Sequence, residues 1–171
     1  VQDNETIGAL MGDGTVSLNG NTLTAASDDN TTFSGDINGG TFVKDGSGDF
    51  MLSGTVDGLT VNAGGVIINN GSGDAIDNAT VPQLNASGGL TFQSSETVAG
   101  LTDDGSGNAT VGIADGATLT LDVGTGGGTL TVTDIAVFAD AFELTPPVAF
   151  TVPPGESRDV PVRYRNDALG E

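Results

Sequence analysis

Gly39-Gly40-Thr41-Phe42-Val43-Lys44-Asp45-Gly46-Ser47-Gly48-Asp49-Phe50-Met51-Leu52-Ser53-Gly54 carries the pattern that decides the fold. Two short runs, Thr41–Lys44 and Phe50–Ser53, alternate apolar with polar residues. An Asp-Gly-Ser-Gly-Asp turn parts them, and Gly-Gly and Ser-Gly bound them. Alternation with a period of two is the mark of a half-buried strand, and Gly, Asp and Ser are the residues of tight turns.

The same grammar extends in both directions. Upstream, Thr15–Leu18, Thr22–Ala25 and Thr31–Ile37 read as strands. Downstream, Leu59–Asn62, Val66–Asn69, Gln83–Ala86, Leu90–Gln93, Ala109–Ile113, Thr118–Val123 and Thr129–Ile135 do so. Self-similarity accompanies them. Glu5-Thr6-Ile7-Gly8-Ala9-Leu10 returns as Glu96-Thr97-Val98-Ala99-Gly100-Leu101, and Thr-Leu-Thr follows each at 22–24 and 118–120. The Asp/Asn-Gly-Ser-Gly-Asp/Asn turn occurs at 45–49, 70–74 and 104–108, which are irregular intervals. Repetition with loops of variable length predicts a β-solenoid, in which coils stack and share one core.

Composition agrees. The 171 residues include 28 Gly and no Cys, His or Trp, with 23 acidic residues against four basic, a net charge of −19. Strand and turn formers dominate. The sign of the charge opposes binding to nucleic acid or to an anionic membrane surface, and the longest apolar runs are too short for a transmembrane helix. Without Cys or His there is no thiolate and no imidazole for nucleophilic, acid–base or metal chemistry. The carboxylates lack basic partners near them, so no catalytic residue and no cofactor is assigned and the chain is expected not to be an enzyme. Lys44, the one basic residue before Arg158, stands in a repeat position.

Residues 39–54 resemble the strand repeat of bacterial autotransporter passengers, "GGLTKTGTGTLTLSG". Leu59–Asn69 resembles the "TTVNAGTLQV" that follows it, and Glu5–Ala25 resembles "QTIGSLSGSGTVSLGGNTLTV". The resemblance runs through residues 5–107. It implies a right-handed parallel β-solenoid over residues 1–107, with four or five coils and a length of about 20–25 Å at about 4.8 Å per coil. It also implies a secreted or cell-surface location in a bacterium.

After residue 107 the character changes. Leu130–Ile135, Phe142–Pro147, Phe150–Ser157 and Val160–Tyr164 resemble bacterial Ig-like modules of the ASPM/SPD-2/hydin group, "LTVTDI…FSLTPP…FTVPPGGSVTVTVTF". An Ig-like β-sandwich over residues 108–171 is therefore expected, with Ala109–Val123 supplying its first strands. That group continues into a last strand where this sequence has Arg165–Glu171. Val160, Val162 and Tyr164 would then border an open edge. Either the polypeptide is cut there, or an extended segment such as that bearing Ile7 and Leu10 is donated by another copy. The same N-terminal segment also reads as the first solenoid coil.

Asp45, Asp49, Asp74, Asp77, Asp103 and Asp104 flank Gly-Ser-Gly turns and are the candidate Ca²⁺ ligands. The competing reading is that each caps backbone N–H groups in an ordinary turn. The function expected is a passenger or stalk segment of a surface adhesin, whose partners would be host or matrix glycans or proteins. The alternative is a subunit that self-associates into extracellular fibres; a polysaccharide-active enzyme is a third reading.

Overall fold

The computed structural model describes residues 1–71 and 74–122, and beyond them the backbone of four short strands. The chain divides into two compact units, Val1–Asp122 and Val123–Glu171.

The first unit is a β-solenoid of six coils. Coil 1 holds β1 (Glu5–Ile7) and β2 (Thr15–Ser17). Coil 2 holds β3 (Thr22–Ala26), β4 (Thr31–Phe33) and β5 (Asp36–Asn38). Coil 3 holds β6 (Thr41–Asp45) and β7 (Phe50–Leu52), and coil 4 holds β8 (Leu59–Val61) and β9 (Gly65–Ile68). Coil 5 holds β10 (Gln83–Leu84), β11 (Gly89–Phe92) and β12 (Glu96–Val98). Coil 6 holds β13 (Thr102–Asp103), β14 (Thr110–Ile113) and β15 (Leu119–Leu121).

Each coil contributes to three faces, and all pairing within this unit is parallel. The first face is the sheet β1-β3-β6-β8-β10-β13, and the second is β4-β7-β9-β11-β14. The third begins as β2-β5, continues through the bridges Ile37 to Val56 and Val56 to Ile76, and ends as β12-β15.

The inward residues stack in columns because the register never slips by one residue, which would turn every side chain to the wrong side. On the first face Leu23 sits on Phe42 and Phe42 on Leu59. On the second, Phe50, Val66 and Leu90 form one column and Leu52, Ile68 and Phe92 the next. The third contributes Ile37, Val56 and Ile76. All of these are buried. Phe42 and Phe50 meet across the first and second faces with ring centroids 4.8 Å apart, a favourable tilted pair.

Corners impose a second constraint. Between the second and third faces, Gly14, Gly35 and Gly54 lie one above another. A Cβ on Gly35 would run into the Gly14 carbonyl, and one on Gly54 into the Gly35 carbonyl. Gly35 and Gly54 are needed for close backbone approach rather than for an unusual φ, whereas Gly14, with nothing near its would-be Cβ, sits at φ +96°.

Three expectations are corrected. Thr31–Ile37 is two strands, since the chain turns the Ser34-Gly35 corner between β4 and β5. Ala109–Val123 is not the start of a sandwich: β14 pairs in parallel with β11 and β15 with β12. The division therefore falls after Asp122 instead of at 107/108. The Gly/Thr grammar simply continues through coil 6, and the change of composition begins later.

In the second unit the described strands are β16 (Leu130–Val132), β17 (Phe142–Leu144), β18 (Phe150–Val152) and β19 (Val162–Tyr164). They pair antiparallel, β16 with β18 and β17 with β19.

Gly54→Ala should lower the unfolding free energy by about 1–3 kcal/mol through forced overpacking. Gly8→Ala, where a Cβ meets nothing within 4 Å, should change it by less than about 0.5 kcal/mol. Urea unfolding of the two variants checks the contrast.

Candidate functional site

Two charged side chains lie inside the solenoid, and both arise from inward strand positions. Lys44 is the fourth residue of β6, two on from Phe42, and stands in register between Ala25 and Val61. It is 1% exposed. Its stem fills the column and its ammonium turns to the corner between the first and second faces. There Nζ donates to the carbonyls of Asp45 (2.7 Å), Gly46 (2.8 Å) and Ser27 (3.5 Å). Burial pushes its pKa down from 10.5, while Asp45, Asp49 and Asp28 pull the other way. The backbone carbonyls of that corner thus receive a tethered cation.

The same corner is bound from coil to coil by side chains. Asp28 Oδ1 accepts from the Ser47 N–H (2.9 Å) and hydroxyl (3.0 Å), and these bonds hold its carboxyl below the ordinary value. Asn30 Oδ1 accepts from the Asp49 N–H at 2.8 Å. Further along, Asn85 Nδ2 donates to Asn62 Oδ1 (3.0 Å) and the Ala86 N–H to Ser106 Oγ (3.2 Å).

Glu96 is the mirror case on the third face. It opens β12, is 2% exposed, and stands in register with Leu119. In coil 4 this face narrows to the single bridge residue Ile76. The carboxylate takes over part of the missing ladder, accepting the N–H groups of Ala75 (2.9 Å) and Ile76 (3.4 Å). Burial raises its pKa above 4.5, and the N–H donors oppose the rise. Neither residue was singled out as a site by the sequence. The available signal was phase: Lys44 alternates with Phe42, and Glu96 with Val98.

The candidate calcium ligands fall in three separate places. Asp45 and Asp49 flank the coil 3 turn between the first and second faces, and Asp103 and Asp104 the coil 6 turn of that same corner. Asp74 and Asp77 stand on either side of Ile76, the residue that carries the third face in coil 4. Four of the six accept local N–H groups in their turns: Asp45 from Gly46 (2.9 Å), Asp77 from Ala79 (2.8 Å), Asp103 from Gly105 (2.5 Å) and Asp104 from Ser106 (2.9 Å). The Ser106 donors also lower the Asp104 pKa. Among the described residues, no three acidic side chains converge as a metal site would require. The local bonds are those of capping turns.

Of the expected interaction edge, Ile7 belongs to β1, paired in parallel with β3, and Leu10 packs partly buried against the core. Val162 and Tyr164 lie in β19 opposite Leu144 and Phe142. Val160 and Arg165–Glu171 lie outside the described residues. Among the described residues no helix is long and apolar enough to cross a membrane.

Compared with known proteins, the chain matches no family, no curated protein and no solved structure.

The buried charges have opposite signatures in pH. Folding lowers the proton affinity of Lys44, so between its folded value and 10.5 the unfolded chain binds more protons. Stability contributed at this position therefore rises with pH across that window, and Lys44→Met should abolish the rise. Folding raises the proton affinity of Glu96, so stability contributed there falls as pH climbs from 4.5 through its folded value. Glu96→Gln should flatten that fall. Urea midpoints against pH, variant against wild type, read both effects.

Millimolar calcium, compared with a chelator, should move the melting temperature by no more than about 1 °C, because binding without convergent ligands adds little to native-state stability. Calorimetry in the two buffers checks this, and a shift of several degrees would assign the acidic turns to the ion.

Proposed function

We propose that the chain is a non-enzymatic structural segment of a bacterial surface protein, in which the solenoid is a rigid spacer that carries loops toward a host or matrix partner. The observation that carries the reading is the unbroken stack of six coils, with columns continuous from coil to coil. Five intervals at about 4.8 Å make it about 24 Å long. Each coil is tied to its neighbours by backbone ladders, and corner side chains such as Asp28, Asn30 and Asn62 add bonds between coils. Such an element gains length by repetition without needing a thicker core, which suits a stalk.

Three further features support it. Residues 39–54 resemble the autotransporter passenger repeat, and in the fold they span the coil 2–3 junction, β6, its corner and β7, two of the three faces of coil 3. The net charge of −19 keeps an elongated surface solvated. In the second unit, the antiparallel pairing of β16 with β18 and β17 with β19 accords with the Ig-like module that the sequence of residues 130–164 resembles. Modules of that kind in series with a solenoid suit a surface-displayed stalk.

The test is protease shaving of intact cells that make the protein. An antibody to the chain should label unbroken cells, and external protease should remove the signal while a cytoplasmic marker survives. Protection of the chain until the cells are lysed would overturn the surface assignment.

A further inference from the structure

Six asparagines open an Asn-x-Ser/Thr triplet: Asn4, Asn30, Asn70, Asn78, Asn85 and Asn108. That triplet is the acceptor sequence for asparagine-linked sugars. A corner Asn followed by a Thr-rich strand also produces it for purely structural reasons. Side-chain geometry separates the two. A glycan replaces one hydrogen of Nδ2 and leaves Oδ1 as it was. An acceptor that suits the folded stack therefore keeps its oxygen bound and its nitrogen free.

Four of the triplets lie in coils 2 to 5, away from the ends of the stack. At Asn78, in the amide orientation that satisfies both its ends, Nδ2 donates to the Thr97 carbonyl (2.8 Å) and to Asp74 Oδ1 (3.1 Å). Both of its hydrogens are engaged. Asn85 is half-buried, and its Nδ2 is turned along the stack to Asn62 Oδ1 (3.0 Å) while its Oδ1 accepts from Gln83 (2.9 Å). Asn70 is half-buried too, and Ser72 of its triplet lies outside the described residues.

Asn30 differs from all three. It stands in coil 2 on the corner between β3 and β4 and is exposed. Its Oδ1 accepts the Asp49 N–H of coil 3 at 2.8 Å, and among the described residues its Nδ2 has no hydrogen-bond partner. The next strand completes the triplet. Thr31 is buried, so by alternation Thr32 faces outward and is exposed. The amide nitrogen and the triplet's hydroxyl are thus both presented to solvent.

We propose that Asn30 is the acceptor of an asparagine-linked glycan, transferred from a sugar diphosphate by an enzyme of the cells that make the chain. Nδ2 bonds to the anomeric carbon as the bond from that carbon to the diphosphate oxygen breaks. The diphosphate leaves with the electron pair, and one Nδ2 proton passes to a base of the transferase. Oδ1 stays on the Asp49 N–H, so the bulky, solubilising sugar leaves the bond between coils 2 and 3 in place. The proposal goes beyond the spacer role and is read separately from it.

The test is mass spectrometry of peptides from the full chain, recovered from whole cells that naturally make it. The peptide containing Asn30 should carry the added mass of one or more sugar residues, and those containing Asn78 and Asn85 should not. Asn30→Gln should lose the added mass completely. Thr32→Val, which keeps Asn30 and its bond to Asp49, should also lose it, while Thr32→Ser should retain it. Circular dichroism matching wild type shows that each variant is folded. An unmodified Asn30 in the wild-type chain overturns the proposal, as does equal modification at Asn78 or Asn85, or a glycan that persists in the folded Thr32→Val variant. A chain released by shaving but unmodified at Asn30 would sink this proposal and leave the surface reading standing; a modified chain protected from shaving would do the reverse.

Discussion

The interaction on which the rest of this structure depends is the parallel hydrogen-bond ladder between successive coils. It places each residue directly on the residue one coil earlier, although the interval in sequence varies. Leu23 meets Phe42, and Phe42 meets Leu59, through different numbers of intervening residues. Variation is absorbed at the corners, where glycine and hydrogen-bonded Asp, Asn and Ser let the chain turn and return in register. A single slip would turn a whole strand inside out, so each corner must return the chain in the same register.

That constraint explains how charged groups come to lie inside. A strand position that faces inward does so whatever residue occupies it. Lys44 and Glu96 are accommodated because each reaches backbone groups of the right sign: carbonyls at a corner for the Lys44 Nζ, and N–H groups at a narrowed face for the Glu96 carboxyl.

Much of this was legible in the sequence. Strand alternation and turn residues located most elements of the first unit, and the repeat argued for a solenoid. The Glu5–Leu10 and Glu96–Leu101 likeness proved more informative than its spacing suggested. Each copy is the lower member of a stacked pair with Thr-Leu-Thr, once on the first face and once on the third. What periodicity could not give was the assignment of strands to faces. Asp45, Asp49, Asp103 and Asp104 lie on one corner and Asp74 on another, so among the described residues the acids that flank these look-alike Gly-Ser-Gly stretches do not converge. Nor could composition mark the end of the solenoid, since Ala109–Val123 reads equally well as solenoid or sandwich until its partners are known. Lys44 and Glu96 are hidden because a charged residue in an alternating strand ordinarily marks an outward position.

The account stands or falls on stacking in a single register from coil 1 to coil 6. Thr6 and Thr102 are in one outward column, linked in register through Thr24, Val43, Thr60 and Gln83. The chain has no native cysteine, so spin labels at Thr6→Cys and Thr102→Cys report the distance between them directly. Five rungs predict a single narrow distribution centred near about 24 Å, broadened only by the label arms. A distribution centred well beyond that, or one spread over many distances, would contradict the six-coil stack.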